Sequence, residues 1–167
     1  MAKKTVKEKV IIRRMTIDDL PVVYHIGEQL FTSREAPLLY RTWDEYEIVD
    51  VFNTDPELCL VAELNGEVVG FIIGTTIEKP GTAWKYGYVT WIGVKKAYQK
   101  MSVGSKLYKS LEKKMREIGV RMMIVDTEES NREAISFFRR VGFNEAKGHI
   151  WMTKVLKGKH RVKHHQY

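Results

Sequence analysis

The stretch Gln99-Lys100-Met101-Ser102-Val103-Gly104 follows a strand-like run, YVTWIGV, and opens a charged helical run, YKSLEKKMREIG. A strand, a tight turn and a helix N-terminus in that order bring backbone N–H groups together where a phosphate can sit. Pyrophosphate needs several convergent donors and a positive potential. The unpaired donors of a first helical turn and its dipole supply both, and Lys100 and Lys106 add charge nearby. Phosphate loops of this kind usually hold more glycine; here Gly104 is present and Ser102 stands where a second glycine is expected. The other reactive side chains are less suited to chemistry. Cys59 is the single cysteine of the chain and lies in LCLVAEL, where it reads as a buried strand residue rather than a nucleophile. One cysteine excludes an internal disulfide and argues against a cysteine-based zinc site. The terminal KHHQY has metal-binding side chains but nothing to fix their geometry.

The elements that must hold this loop can be read from periodicity. KVIIRRM reads as a first strand. Thr16 is placed to cap a first helix, with Asp19 at the third position, Pro21 in the opening turns, and Ile17, Leu20, Val23, Tyr24, Ile26 and Leu30 as its apolar positions. A second helix is expected over about 36–52, its start blurred by Pro37. In LCLVAELNGEVVGFIIGTTI, Asn65-Gly66 supplies the two positive φ angles of a type I′ turn between apolar runs, which makes this the clearest hairpin. TAWKYGYVTWIGV is the next strand region. From Val103 to Ile118, Val103, Leu107, Leu111 and Met115 recur at i, i+4 spacing, the buried stripe of a helix. Glu112 and Arg116 pair on its outer face and Gly119 ends it. VRMMIVDT is a further strand. Ser130 and Glu133 have the spacing of a capping box for a helix carrying Ala134, Phe137, Phe138 and Val141, stopped by Gly142. FNEAKGHIWMTKVL reads as strand, turn and strand. The order β-α-α-β-β-β-α-β-α-β-β predicts a mixed α/β domain with one continuous core.

Taken together, QKMSVG and the later NREAISFFRRVGF resemble the Gcn5-related N-acetyltransferase (GNAT) family. Its coenzyme loop reads Gln/Arg-x-x-Gly-x-Gly/Ala, and its later helix reads Asn-x-x-Ala-x-x-Phe-Tyr-x-x-x-Gly-Phe. The matching positions run from Gln99 to Gly104, and then fall at Asn131, Ala134, Phe137, Phe138, Gly142 and Phe143. The resemblance covers roughly 10–156. It implies the acyl-CoA N-acyltransferase fold: an α/β (α+β) architecture whose central sheet is mixed but mostly antiparallel, with a splayed parallel strand pair and about four helices. It implies acetyl-CoA as acyl donor and an amine as acceptor, with direct attack in a ternary complex and no metal. On that pattern the backbone of Ile92, Gly93 and Val94 bonds the pantetheine arm as an added strand would. Gln99, Lys100, Met101, Ser102, Val103, Gly104 and Ser105 form the pyrophosphate loop, and Asn131 and Phe138 approach the coenzyme from the other side.

The departures from the pattern concern the chemistry. Where the family often has a tyrosine that protonates the leaving thiolate, this chain has Phe138, so that acid is missing. YVTWIGVKKAY is similar to the family's N-terminal acetyltransferases, in which a tyrosine at the place of Tyr88 helps deprotonate the peptide amine through water. Those proteins carry a histidine where this chain has Asp126. A phenol ordinarily ionises near pH 10, so Tyr88 is a poor direct base and is better suited to orienting water. Asp126 is the better acceptor by charge. Turn capping by Asp126 and solvated roles for Glu128 and Glu129 are the plainer readings of those residues. The acceptor pocket is expected from LFTSREAPLLYRTW, with Arg34, Glu35, Tyr40 and Trp43, and from the last strand pair near His149 and Trp151.

A chain of 167 residues with 44% hydrophobic residues suits one domain with its own core. No apolar run approaches the roughly 20 residues of a membrane span, and MAKKTVKEKV lacks the apolar centre of a signal peptide, so a cytoplasmic protein is expected. The net charge of +7 lies in two tails, 1–9 and 157–167, which flank a neutral domain at 10–156. Such tails suit nucleic-acid or ribosome contact, or serve as solvated ends; a homodimer is left open. The leading expectation is an acetyl-CoA-dependent N-acetyltransferase acting on a protein N-terminus or lysine. The alternatives are an acetyltransferase of a small-molecule amine and a non-catalytic acetyl-CoA-binding module.

Overall fold

The computed structural model describes residues 9–31, 43–81, 84–148, 150, 152 and 154. Its strands are β1 (Ile11–Arg14), β2 (Cys59–Leu64), β3 (Glu67–Glu78), β4 (Lys85–Val94) and β5 (Met122–Ile124), in one sheet that follows chain order. β1 to β4 pair antiparallel, and β4 pairs with β5 in parallel. The helices are α1 (Leu20–Leu30), α2 (Glu45–Thr54), α3 (Val103–Glu117) and α4 (Arg132–Arg140). Among the described residues, this is the mixed, mostly antiparallel sheet with a parallel pair and four helices that the resemblance implies. The β2–β3 hairpin turns at Asn65 and Gly66, whose φ angles of 52° and 81° are both left-handed, as a type I′ turn requires.

Alternation along the strands divides the interior in two. Leu60, Ala62, Ile72 and Val89 face α3, whose Val103, Leu107, Leu111 and Met115 are all buried, so the i, i+4 stripe is the helix's contact with the sheet. Cys59, Val61, Phe71 and Ile73 face the other way, onto Val23 and Ile26 of α1, Ile48 of α2 and the ring of Trp43. Burying each of the larger aliphatic side chains contributes about 1.5–3 kcal/mol. Burial also pushes the Cys59 thiol up to about 12, which keeps it protonated and unreactive.

β1 is tied to the start of α1 by charge. The Arg13 guanidinium donates to both carboxylate oxygens of Asp19, at 2.7 and 2.9 Å, and to Glu63 of β2 at 2.7 Å. Asp19 also accepts from the Thr16 N–H at 2.8 Å and the Thr16 hydroxyl at 2.9 Å. The Arg13 bonds, reinforced by those from Thr16, hold the buried Asp19 carboxyl at about 2, below its usual 3.8. A depressed carboxylate pKa adds stability that is complete above the unfolded value and disappears as pH falls through the folded one. Chemical denaturation at pH 7, 4, 3 and 2 is therefore expected to show wild type losing on the order of 2 kcal/mol from this group between about pH 4 and 2. Asp19→Asn should lack that part of the slope; an unchanged slope would remove the Arg13–Asp19 pair as its source.

The structure departs from the sequence expectations at several elements. The chain enters α1 through a 3-10 turn, Ile17–Asp19, which leaves Ile17 exposed rather than on the apolar face. α2 begins at Glu45, capped by the Asp44 carboxylate accepting from the Glu47 N–H at 2.9 Å, and runs two residues past the expected end. The expected start of that helix, and Arg34, Glu35 and Tyr40 of the expected acceptor pocket, lie outside the described residues. α4 is capped by Asn131, whose side-chain oxygen accepts from the Ala134 N–H at 3.1 Å; Ser130 is one residue too early and bonds Glu128 instead. Residues 143–148 form no strand, although the sequence suggests one there; His149, Trp151 and most of the tails lie outside the described residues.

Candidate active site

The parallel pair builds the site. β5 pairs with β4 only at Tyr86, Gly87 and Tyr88, opposite Met122, Met123 and Ile124, while β4 continues to Val94. Among the described residues, β4 therefore has no strand paired to that edge from Val89 onward. Lys95 donates its N–H to the Val69 carbonyl of β3 at 2.9 Å. Because backbone groups alternate in direction along a strand, Ile92 and Val94 turn theirs towards the open edge. An extended ligand arm laid in the gap would pair with these groups as a strand does.

At the far end of the gap lies the turn into α3. Lys106 is the first residue of the helix whose N–H has a backbone acceptor, the Ser102 carbonyl at 3.0 Å. The N–H groups of Val103, Gly104 and Ser105 precede it, where a helix leaves its donors unpaired. Lys100 and Ser102 both have left-handed backbones, φ 67° and 60°. Alternating left- and right-handed residues curve successive N–H groups inwards into an anion-binding nest. The Ser102 hydroxyl makes no capping bond, so serine bears the left-handed conformation without that compensation. Gln99 donates its side-chain N–H to the Val94 carbonyl at 3.2 Å and ties the loop to the end of β4. A Cβ on Gly104 would lie 3.3 Å from Cε2 of Phe137, so this glycine also lets α4 pack against the start of α3. The two sequence motifs thus meet at Gly104 and Phe137. An open strand edge, a donor nest and neighbouring lysines fit a coenzyme with a pantetheine arm and a pyrophosphate.

Two substitutions test that placement. Ser102→Gly is expected to raise stability by about 0.5–1 kcal/mol, because glycine takes φ 60° without a Cβ clash, and to leave coenzyme affinity equal or better. Gly104→Val should weaken coenzyme A far more, since it crowds both the donors and Phe137. Calorimetric titration with coenzyme A decides; the reverse order would move the phosphate site elsewhere.

The catalytic candidates come together as the spacing requires. Tyr88 is the last β4 residue paired with β5, and Asp126 lies two residues beyond Ile124 on β5. The Tyr88 hydroxyl donates to the Asp126 carboxylate across the two strands, at the point where their pairing stops. Thr75 lies directly opposite Tyr88 on β3 and shares its face of the sheet. The Thr75 hydroxyl and the Thr76 N–H donate to Asp55, the residue that closes α2. Tyr88 therefore opens onto the face covered by α1 and α2, opposite α3.

Phe138 is buried, with its ring edge-on to those of Phe137 and Phe143 at 5.2 and 5.5 Å. It is a packing residue and offers no proton. Asn131 spends its side-chain oxygen on the helix cap. Sequence reasoning missed Thr90. Ile73 pairs with Trp91 and Gly74 with Val89, which leaves Thr90 as the extra residue of a β-bulge, its hydroxyl donating to the Ile73 carbonyl at 2.9 Å. The bulge sends Val89 to the α3 core and Trp91 to the α1/α2 core, although residues two apart normally share a face. Trp91 then donates its indole N–H to Glu47 of α2 at 3.0 Å. No residue type in VTWIG signals that bulge.

Comparison with known proteins agrees with this geometry. The family model described as "Acetyltransferase (GNAT) family" matches residues 21–143. N-alpha-acetyltransferase 30 of Dictyostelium discoideum is 33% identical over 95 residues, which cover 57% of this chain and 50% of that protein, so the match spans half of that relative. Among solved structures, Ard1 from Thermoplasma volcanium superposes with a TM-score of 0.66 at 26% identity, covering 80% of this chain and 81% of that one. The aminoglycoside N-acetyltransferase AAC(6')-Iy in complex with CoA gives a TM-score of 0.72 at 18% identity, with 90% and 97% coverage, a likeness of fold. The family match over residues 21–143 settles the classification: the chain belongs to the acetyltransferase (GNAT) family and is an acetyl-CoA-dependent N-acetyltransferase.

Proposed function

We propose that the acceptor is a protein or peptide amine, preferably the N-terminal one, and that Tyr88 and Asp126 remove its proton. The observation that carries this reading is the hydrogen bond from Tyr88 to Asp126 at the vertex of the splayed strands, on the acceptor face. An amine attacks only when neutral, and most amines are protonated at pH 7. With its own proton committed to Asp126, the Tyr88 oxygen is oriented to accept one from the incoming ammonium, directly or through water. As that proton arrives, the phenol proton passes to the carboxylate, so Tyr88 never holds a full charge. The neutral nitrogen forms a bond to the acetyl carbon, the thioester C–S bond breaks, and coenzyme A leaves as a thiolate; the proton that nitrogen sheds as the amide forms passes to the thiolate or to solvent. Phe138 gives that thiolate no proton, and a coenzyme thiol leaves adequately without one. The loop from Gln99 to Ser105 and the edge at Ile92 and Val94 hold the donor in register, while the backbone groups of Gly93, expected beside them, turn instead to β3; this holding makes the attack effectively intramolecular.

The similarity to N-alpha-acetyltransferase 30 and to Ard1 supports a protein N-terminus as acceptor. The fold likeness to an aminoglycoside N-acetyltransferase favours a small amine as the second reading. Thiol release from acetyl-CoA, measured with peptides bearing a free or blocked N-terminus, with lysine peptides, and with polyamines and aminoglycosides, separates the two. Turnover of free-N-terminus peptides is expected; turnover of small amines alone would overturn the peptide reading.

A further inference from the structure

We infer that Glu67, the first residue after the Asn65-Gly66 turn, is a positioning residue for the coenzyme loop. The inference rests on the assignment of that loop to the pyrophosphate.

The path from β4 to α3 contains two left-handed residues that are not glycine, Lys100 and Ser102. Backbones of this kind persist only where their surroundings over-determine them. Sequence alone offers little to do so, since the segment is short and mostly exposed. The structure supplies an anchor from an unrelated part of the chain. One Glu67 carboxylate oxygen accepts from Lys95 Nζ at 2.6 Å and the other accepts from the Tyr98 hydroxyl at 3.1 Å. Lys95 precedes, and Tyr98 ends, the 3-10 turn Lys96–Tyr98 that leads into Gln99 and Lys100. The Lys95 bond holds the Glu67 carboxyl below its usual range, with Tyr98 adding to the effect. The backbone bond from Lys95 to Val69 fixes the same corner to β3, and Gln99 fixes the next residue to Val94. The β2–β3 hairpin end thus clamps the start of the loop, and the strained residues follow within a few positions. The tight Asn-Gly turn matters here, because it sets the direction in which Glu67 leaves the hairpin.

The test uses coenzyme A itself and needs no knowledge of the acceptor. Glu67→Ala is expected to weaken coenzyme A about fivefold, the scale of a partly exposed pair of charge-assisted bonds. Glu67→Ala combined with Tyr98→Phe should bind no worse than the weaker single variant, because Tyr98→Phe removes a contact that Glu67→Ala has already removed. Glu67→Gln keeps an oxygen for Tyr98 and should fall between wild type and Glu67→Ala. Amide hydrogen exchange should quicken across 96–105 and stay unchanged in α1 and β2. Wild-type affinity in Glu67→Ala, additive losses in the double variant, or faster exchange throughout the chain would each overturn the anchor. Failure of the wild-type protein to bind coenzyme A would instead overturn the loop assignment, and the anchor with it.

Discussion

Tyr88→Phe is expected to lower kcat by about a hundredfold, the lower range for loss of a positioned proton-transfer group, while the Kd for acetyl-CoA stays within about twofold. Phenylalanine keeps the ring that fills the α2 side of the sheet and removes only the hydroxyl that bridges to Asp126. The groups proposed to hold the coenzyme, Ile92 and Val94 and the loop from Gln99 to Ser105, lie further along β4 and beyond it, so donor binding has no reason to change. Asp126→Asn retains a hydrogen-bond acceptor and loses the charge that draws the proton onwards; a similar fall is expected. The double variant should be no slower than the worse single one, since the two residues act as a unit. Steady-state rates at saturating acetyl-CoA, with titration calorimetry beside them, give both numbers. Unchanged turnover in Tyr88→Phe would remove the pair from the mechanism, and a matched loss of donor affinity would make the effect one of packing.

Gly27→Ala is expected to cost about 3 kcal/mol or more, although alanine normally strengthens a helix interior by about 1 kcal/mol over glycine. The reason is Trp43. A Cβ on Gly27 would lie 2.0 Å from Cε2 and 2.1 Å from Cζ2 of the Trp43 ring, which rests directly on the α1 backbone. The indole donates to the Tyr24 carbonyl at 2.9 Å, and its ring centre lies 5.3 Å from Phe31, 5.3 Å from Phe71 and 5.1 Å from Trp91. Among the described residues, the rings of Phe31, Phe71 and Trp91 crowd the indole and oppose its retreat. Thermal unfolding should shift down by roughly 6–12 °C for that loss in a chain of this length. Because Trp91 belongs to the same cluster and holds Glu47 of α2, acceptor affinity should fall before donor affinity does. A variant at least as stable as wild type would show that the ring can move aside.

Much of this protein could be read without coordinates. The Asn65-Gly66 hairpin, the buried stripe of α3 and the inert Cys59 follow from local rules, because turn chemistry, helical period and strand burial each depend on a few neighbouring residues. The two motifs, in order, led to the family and through it to the donor. Tyr88 and Asp126 were legible as candidates for the same reason. Other features depend on residues far apart in the chain. Thr16, Asp19 and Pro21 gave a helix start, yet Arg13 from β1 decides how that start is held. Ser130 and Glu133 have capping-box spacing, yet Asn131 caps α4.

The sequence by itself therefore determined most of the element types, the family, and the candidates for the donor loop and for proton transfer, because each is written in a contiguous pattern. Only the tertiary structure decided where those groups point. Thr90 carries no local mark of a bulge, but the register between β3 and β4 makes it one, and that extra residue sets Tyr88 and Trp91 on the same face. The early end of β5 pairing opens the gap and leaves Tyr88 and Asp126 at its vertex. Gly104 reads as a phosphate glycine in sequence, and packing gives it a second task against Phe137. Register, splay and inter-helix contact arise from long-range pairing, which no short window of residues specifies.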